Sequence, residues 1–311
     1  MEHLFVRCAI AALLAMTALA TPAPARSGEP FAQPNARALV EGQAKAKLAQ
    51  RQRGKLLPVS RLRALRSGAI LILDPATRKV LFQKNAGVVM PIASVTKLMT
   101  ALVVIEAGQS MREMLTIGDA DVDRLKYSSS RLRIGTRLTR STMLHIALMS
   151  SENRAASALG RHYPGGTARF VAAMNSRARV LGMHSTRFVE PTGLSSANVS
   201  TSEDLAKLVV AAQRQPLIRQ YSTDRDYTIA QGRHRTAYRN SNRLIASSGW
   251  QIGLQKTGYI AEAGRCMVLH AVVKGRPVIM VFLDAHGKFS RARDANRVRS
   301  WLVRNGKANH F

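Results

Sequence analysis

Ser94 and Lys97 stand three residues apart in the stretch Pro91-Ile92-Ala93-Ser94-Val95-Thr96-Lys97-Leu98-Met99-Thr100-Ala101. After the proline this stretch reads as the opening of a helix, where positions three apart share a face. A serine hydroxyl becomes a nucleophile when a base takes its proton, and a neutral lysine amine can be that base. A free lysine has a pKa of about 10.4, whereas a working base sits at roughly 7 to 8. Burial or a second cation must supply the difference, about 4 kcal/mol. Leu98, Met99, Leu102 and Val103 offer an apolar surround. The first turn of a helix also presents free backbone N–H groups, which suit a negative charge developing at Ser94.

Two more clusters follow in order, Ser151-Glu152-Asn153 and Lys256-Thr257-Gly258. Asn153 can hydrogen-bond both a substrate amide and Lys97, and Ser151 can relay a proton to a leaving nitrogen. Helix capping is the structural alternative for this pair. Lys256 brings positive charge that attracts a carboxylate and helps keep Lys97 neutral. Thr257 can donate to the same carboxylate, and Gly258 lets substrate approach a strand edge closely.

The ordered set resembles the three motifs of the penicillin-recognising serine enzymes. Longer segments sharpen the likeness: Ser94-Val-Thr-Lys-Leu-Met-Thr-Ala101, Leu148-Met-Ser-Ser-Glu-Asn-Arg-Ala-Ala156, Glu190-Pro-Thr-Gly-Leu194 and Lys256-Thr-Gly-Tyr259. They resemble the low-molecular-mass penicillin-binding proteins, and among these the periplasmic D-alanyl-D-alanine endopeptidase branch. The resemblance spans residues 67–305. It implies a serine DD-peptidase acting on peptidoglycan peptide stems through an acyl-enzyme, inhibited by β-lactam antibiotics. It implies Ser94, Lys97, Ser151 and Asn153 as catalytic residues, and Lys256, Thr257, Gly258 and Tyr259 as substrate-binding ones. The backbone N–H groups of Ser94 and Tyr259 would form the oxyanion hole. Neither a metal nor an organic cofactor is implied.

The elements that must position these residues follow from periodicity. Ala69–Leu73 and Lys79–Gln83, joined through Asp74-Pro75, read as a β-hairpin. The Ser94 helix runs to Ala107-Gly108. Residues 109–138 carry turn residues and mixed charge, including Tyr127-Ser128-Ser129-Ser130. Thr139 opens a helix striped by Met143, Leu144, Ala147 and Leu148, and a further helical pattern begins at Arg154. Phe170, Val171, Met174, Ala178 and Leu181 mark another, stopped by Gly182. Thr201-x-x-Asp204 resembles a capping box. Short strands are expected at 226–231, 236–239, 252–257, 267–273 and 278–283, with a closing helix at 291–303. The order predicts an α+β fold: an antiparallel sheet flanked by helices, with an inserted helical subdomain, β-lactamase/DD-peptidase-like.

The start of the chain serves another purpose. Arg7 precedes the apolar run from Cys8 to Ala20, too short to span a bilayer comfortably, with Ala18-Leu19-Ala20 or Ala23-Pro24-Ala25 as cleavage sites. Residues 1–20 therefore read as a signal peptide, and residues 21–66 as a basic, disordered or loosely helical leader. The leader is either a tether to a polyanion or a passive linker. Residues 67–308 form the expected catalytic domain. Export places the protein in the periplasm, and removing the signal leaves Cys266 as the one cysteine, so no disulfide framework is available.

The formal charge of +29 persists without the signal because Glu2 and Arg7 cancel. Such charge ordinarily points to nucleic acid. Export and the lack of an aromatic-interleaved basic motif exclude that partner and favour an anionic polymer of the cell envelope. No His/Cys cluster has metal-ligand spacing, and no Gly-rich phosphate loop follows a strand. The 53 residues after Gly258 leave room for two strands and one helix, so the sequence predicts one domain and no stable membrane anchor.

Three rival activities remain in view. A D-alanyl-D-alanine carboxypeptidase would use the same residues. A β-lactamase needs a glutamate that activates the deacylating water; Glu190 is the turn-borne candidate, and Pro191-Thr192-Gly193 does not place it as that family does. A non-enzymatic wall-binding protein would not need Ser94, Lys97 and Lys256 all intact.

Overall fold

Residues 62, 64–232 and 234–305 are described by a computed structural model. The expected signal peptide and most of the expected leader lie outside them. Five strands form the central sheet: β1 (Ser67–Leu73), β2 (Val80–Lys84), β9 (Gln251–Ile260), β10 (Gly264–Val273) and β11 (Arg276–Ala285). Their order is β2-β1-β11-β10-β9, antiparallel throughout.

Successive side chains of a strand point to opposite faces, and both faces of this sheet are covered. Ala69 and Leu71 of β1 enter one apolar cluster while Ile70 and Ile72 enter another. In β11, Ile279, Val281 and Leu283 face the first cluster, and Val278, Met280 and Phe282 the second. That is why these strands read as continuous apolar runs rather than as alternating ones.

The first cluster is completed by helices: α1 (Lys97–Glu106), α2 (Arg140–Met149), α3 (Asn153–Arg161), α4 (Gly166–Val180), α5 (Ser202–Gln213) and α6 (Pro216–Thr223). The second is covered by α7 (Ser290–Asn305), through Ala295, Val298, Trp301 and Leu302. Leu62 and Leu65 are buried in this second cluster, and Lys84 Nζ donates to Leu65 O. Folded structure therefore begins before the expected boundary at Ser67, because two leucines of the basic stretch cap an apolar face.

The predicted fold class is the observed one. Several small elements escaped the sequence reading: β3 (Met90–Pro91) with β6 (Val199–Ser200), β4 (Met114–Thr116) with β5 (Arg137–Thr139), and α6. The paired strands are two or three residues long, too short for a period to register. In α6 Pro216 occupies the first turn, where its missing N–H costs nothing. The short strands expected at 226–231 and 236–239 are β7 (Asp226–Gln231) and β8 (His234–Arg239), which pair antiparallel with each other. At α5 half of the capping box forms: Thr201 Oγ1 accepts from Asp204 N. The Asp204 carboxylate turns instead to Ser185 N, Thr186 Oγ1 and Lys207 Nζ.

Candidate active site

Ser94 lies in a 3₁₀ turn, Ala93–Thr96, and Lys97 begins α1 directly after it. In a 3₁₀ turn residues three apart eclipse one another, and Lys97 Nζ reaches Ser94 Oγ at 3.0 Å. The turn is wound tightly: Ala93, immediately before the serine, has φ 48°. Such a backbone conformation costs a non-glycine residue on the order of 1 kcal/mol or more and needs surrounding structure to hold it.

That structure comes from two glycines. A Cβ on Gly193, where φ is +82°, would fall 2.0 Å from Ala93 O. A Cβ on Gly258 would lie 2.9 Å from Ser94 N and 3.1 Å from Ile92 O. Gly258 was expected to make room for substrate; it makes room first for the protein's own serine turn. The contact also sets Ser94 N beside the residue preceding Tyr259, so the two N–H groups expected to bind an oxyanion belong to neighbouring segments.

Lys97 is 1% exposed. Besides Ser94 Oγ, its Nζ donates to Asn153 Oδ1 at 2.7 Å and to Thr192 O at 2.6 Å. Burial lowers its pKa to about 8, against the opposing pull of Glu190, Glu152 and Asp123. An ammonium donates all three protons here. Once neutral, the amine keeps two donors for Asn153 and Thr192, and its lone pair is left for the Ser94 hydroxyl. The same three contacts thus serve both protonation states.

Asn153 opens α3, with Glu152 as its N-cap through Arg154 N. Its Nδ2 donates to Ser128 Oγ at 2.8 Å, and Ser128 Oγ donates to Asp123 Oδ2 at 2.6 Å. The loop before β5 therefore fixes which way the Asn153 amide faces. Ser151 interrupts the helices at φ 68°. It lines a cavity of about 220 Å³ together with Asn153, Glu152 and Tyr238.

Thr192 belongs to a turn organised by one carboxylate. Glu190 accepts from Thr192 N (2.6 Å), Gly193 N (2.6 Å) and Asn198 Nδ2 (2.9 Å), while Thr100 Oγ1 donates to Pro191 O at 2.6 Å. Glu190 is thus spent on shaping its own turn, which aims the Thr192 carbonyl at Lys97. This is a different task from holding a deacylating water.

Strand β9, at the sheet edge, carries the third cluster. Lys256 is fully buried, and its Nζ donates to Thr257 O at 2.8 Å. Burial first, then the positive charges of Lys97 and Arg291, hold its pKa well below the ordinary lysine value. Burial is the leading cause of the lowered pKa of Lys97, and the repulsion between Lys97 and Lys256, which holds Lys256 low, disfavours both being charged at once. Thr257 Oγ1 shares a 2.7 Å hydrogen bond with Ser241 Oγ, and Ser241 N donates to Met149 O. Arg291 Nη1, from α7, donates to Gly258 O at 2.7 Å; burial and then Arg265 lower its pKa to about 10. The Tyr259 ring is 56% exposed and packs beneath Arg265, 4.3 Å from its guanidinium carbon.

The sequence reading did not single out Ser128, Thr192, Ser241 or Arg291 as site residues. Each acts through a carbonyl, a hydroxyl or a long-range contact, which no local spacing announces.

A serine hydroxyl bonded to a buried lysine of lowered pKa, beside the edge strand of an antiparallel sheet, defines the class: a serine acyl-transfer enzyme. Residues 57–287 match the D-alanyl-D-alanine carboxypeptidase family, and the chain belongs to that family of hydrolases. It is 47% identical over 240 residues to a D-alanyl-D-alanine endopeptidase of Pseudomonas aeruginosa, covering 76% of this chain and 77% of that one. Its fold is similar to the Streptomyces K15 DD-transpeptidase, with a TM-score of 0.71 at 27% identity over 76% of this chain and 97% of the other. It is also similar to penicillin-binding protein D2 of Listeria monocytogenes in its ampicillin-bound form, with a TM-score of 0.67 at 30% identity, covering 76% and 97%.

Proposed function

We propose that this chain is a serine DD-endopeptidase that hydrolyses the D-alanyl–meso-diaminopimelate cross-link of peptidoglycan in the periplasm. The observation that carries the reading is the Lys97 amine, buried, with its pKa lowered to about 8, and bonded at once to Ser94 Oγ, Asn153 Oδ1 and Thr192 O. The name of the 47% identical relative supports the choice of bond.

In the proposed reaction Ser94 Oγ attacks the D-alanyl carbonyl carbon while its proton passes to neutral Lys97. The backbone N–H groups of Ser94 and Tyr259 take the oxyanion, and the Asn153 amide holds the substrate amide. Collapse breaks the C–N bond, and the departing amine takes a proton through Ser151. Water then attacks the acyl-enzyme, giving its proton back along the same route and releasing a carboxylate and Ser94. A carboxylate on the carbon that bears the scissile nitrogen is met by Thr257 and by the positive charge brought by Lys256 and Arg291. Both a cross-link and a terminal D-Ala present such a carboxylate, so this grip does not choose between them. A β-lactam mimics the scissile amide and acylates Ser94.

Mass analysis of products from purified muropeptides tests the assignment. Conversion of cross-linked dimers to monomers, faster than release of D-Ala from pentapeptide, is expected. Rapid D-Ala release with dimers untouched would make the enzyme a carboxypeptidase.

A further inference from the structure

The groove beside Ser151 holds more space than the reacting bond requires. The loop Ser129–Arg131, the α2–α3 junction Ser150–Asn153 and Tyr238 of β8 line an open cleft of about 220 Å³. A single water needs only about 10–15 Å³ of such space, so the groove has room well beyond the small side chain of a departing D-alanine. Ser151 is the residue placed to protonate the leaving nitrogen, so the cavity it lines belongs to the leaving-group side. The β8 wall continues into Ser241, which touches Thr257 and so ties the cavity to the carboxylate grip.

The lining is polar and partly unspent. Tyr238 is 1% exposed, and its hydroxyl has no hydrogen-bond partner among the described residues. A buried hydroxyl left unpaired costs about 1 to 3 kcal/mol, a cost that a water or a ligand group in the cleft would relieve. The Glu152 carboxylate is buried at the same place, bonded to Ser130 Oγ at 2.6 Å. Arg131 lies over the Tyr238 ring, 5.1 Å from its centroid, and also donates to Ala237 O. A carboxylate, a guanidinium and a free hydroxyl on one wall suit a group that carries an N–H donor and a carbonyl or carboxylate together. They do not suit an aliphatic side chain or a lone anion.

The leaving group of a cross-link has that chemistry. Beyond its reacting D-centre, a three-methylene arm leads to a second centre bearing an amide N–H and a carboxyl-derived group. We infer that the cavity bounded by Ser129, Arg131, Ser151, Glu152 and Tyr238 is a subsite for this far arm of the leaving strand. It is what makes the cross-link the preferred substrate. The inference rests on the endopeptidase reading and deepens it.

Two measurements separate the inference from the reading beneath it. The first compares acyl-D-alanyl substrates whose leaving residue is D-alanine or meso-diaminopimelate, together with natural dimers, on the unmodified protein and on Ser129→Trp and Tyr238→Phe. Ser129 is exposed at the cavity rim and spends no hydrogen bond of its own in the described structure, so a tryptophan there fills space without breaking a contact. Ser129→Trp should lower the ratio of diaminopimelate release to D-alanine release at least about tenfold, the scale of a lost specificity contact. Tyr238→Phe should lower it by about threefold or more, with the rate of penicillin acylation reporting that the nucleophile and the fold are intact. If the unmodified protein leaves dimers whole, the endopeptidase reading fails and the subsite falls with it. If dimers are cleaved but both variants keep the unmodified ratio, the reading stands and the subsite is overturned. The second measurement is inhibition of dimer cleavage by free meso-diaminopimelate. Inhibition that weakens in Ser129→Trp is expected; equal inhibition of both proteins would place the arm elsewhere.

Discussion

The Thr192 carbonyl accepts a hydrogen bond from Lys97 Nζ at 2.6 Å across 95 residues of sequence. A backbone oxygen cannot be removed by a side-chain change, and it carries no charge that would pin the lysine in its protonated form. It orients the amine while leaving burial to set its basicity.

Removing the nucleophile comes first. Ser94→Ala should abolish covalent labelling by a fluorescent penicillin while the melting temperature stays within a few degrees, because Lys97 keeps its contacts to Asn153 and Thr192. Labelling of the folded variant at another residue, mapped by peptide mass, would remove Ser94 from its role.

Lys97→Arg keeps the charge but cannot be deprotonated. Acylation should fall by about 10² to 10⁴, the range for a positioned general base. An unmodified acylation rate in a folded Lys97→Arg protein would rule out a neutral-lysine mechanism.

The pH profile follows from the lysine value of about 8. The neutral fraction rises as pH rises, so acylation should climb about tenfold per unit below 8 and level above it. Stability shifts in the same direction. Between about 8 and the unfolded lysine value of about 10.4, the unfolded chain binds more protons than the fold. This group's contribution to stability therefore grows with pH across that window and is lost as pH falls through 8. A flat acylation rate from pH 6 to 9 would show that Lys97 is not the base.

Gly193→Ala should be severe for its size. Its Cβ would meet Ala93 O at 2.0 Å, and φ there is +82°. A stability loss well above about 1 kcal/mol, with penicillin acylation reduced as well, is expected from chemical denaturation and labelling. Gly275→Ala, where φ is +78° but nothing lies within 4 Å, provides the control. Equal effects of the two would mean that the serine turn is not held by this contact.

Deleting residues 26–60 should preserve cleavage of small substrates and weaken pelleting with sacculi at low salt. The difference should shrink as salt screens the same contacts in the intact protein. Equal pelleting of both forms would leave the leader as a passive linker.

The chemistry was legible in the sequence where it rests on local spacing. Ser94 and Lys97 meet because residues three apart must meet in a turn, and Lys256–Gly258 fall on a strand because the residues around them are strand formers. Glu190 could be set aside as a deacylating glutamate from the residues after it. Its work of holding its own turn could not be read, because the N–H groups it accepts from are backbone groups and the Asn198 amide, partners that composition does not display. Gly258 was read as room for substrate, and its close packing against a backbone 164 positions earlier, at Ser94, was not legible. Arg291 entered the sequence reading only as the first residue of the closing helix. Its meaning appears once α7 has packed and its guanidinium has met Gly258 O. The central sheet was legible for a related reason: burial on both faces leaves runs too apolar to be anything but core.

Strand β1 has β11 as its neighbour, with Ser67 opposite Ala285, and β9 is tied to α7 through Arg291. A chain made or exported from its N-terminus therefore presents Ser94 and Lys97 long before the segments that press on the serine turn. The first strand pairs at once with β2, but its other edge waits more than two hundred residues for β11, the kind of delay that makes such topologies slow to close. Until then no edge strand stands opposite the nucleophile. The serine turn and the strand that faces it therefore reach their working positions together, when the sheet has closed and Arg291 of the last helix has fastened Gly258 O.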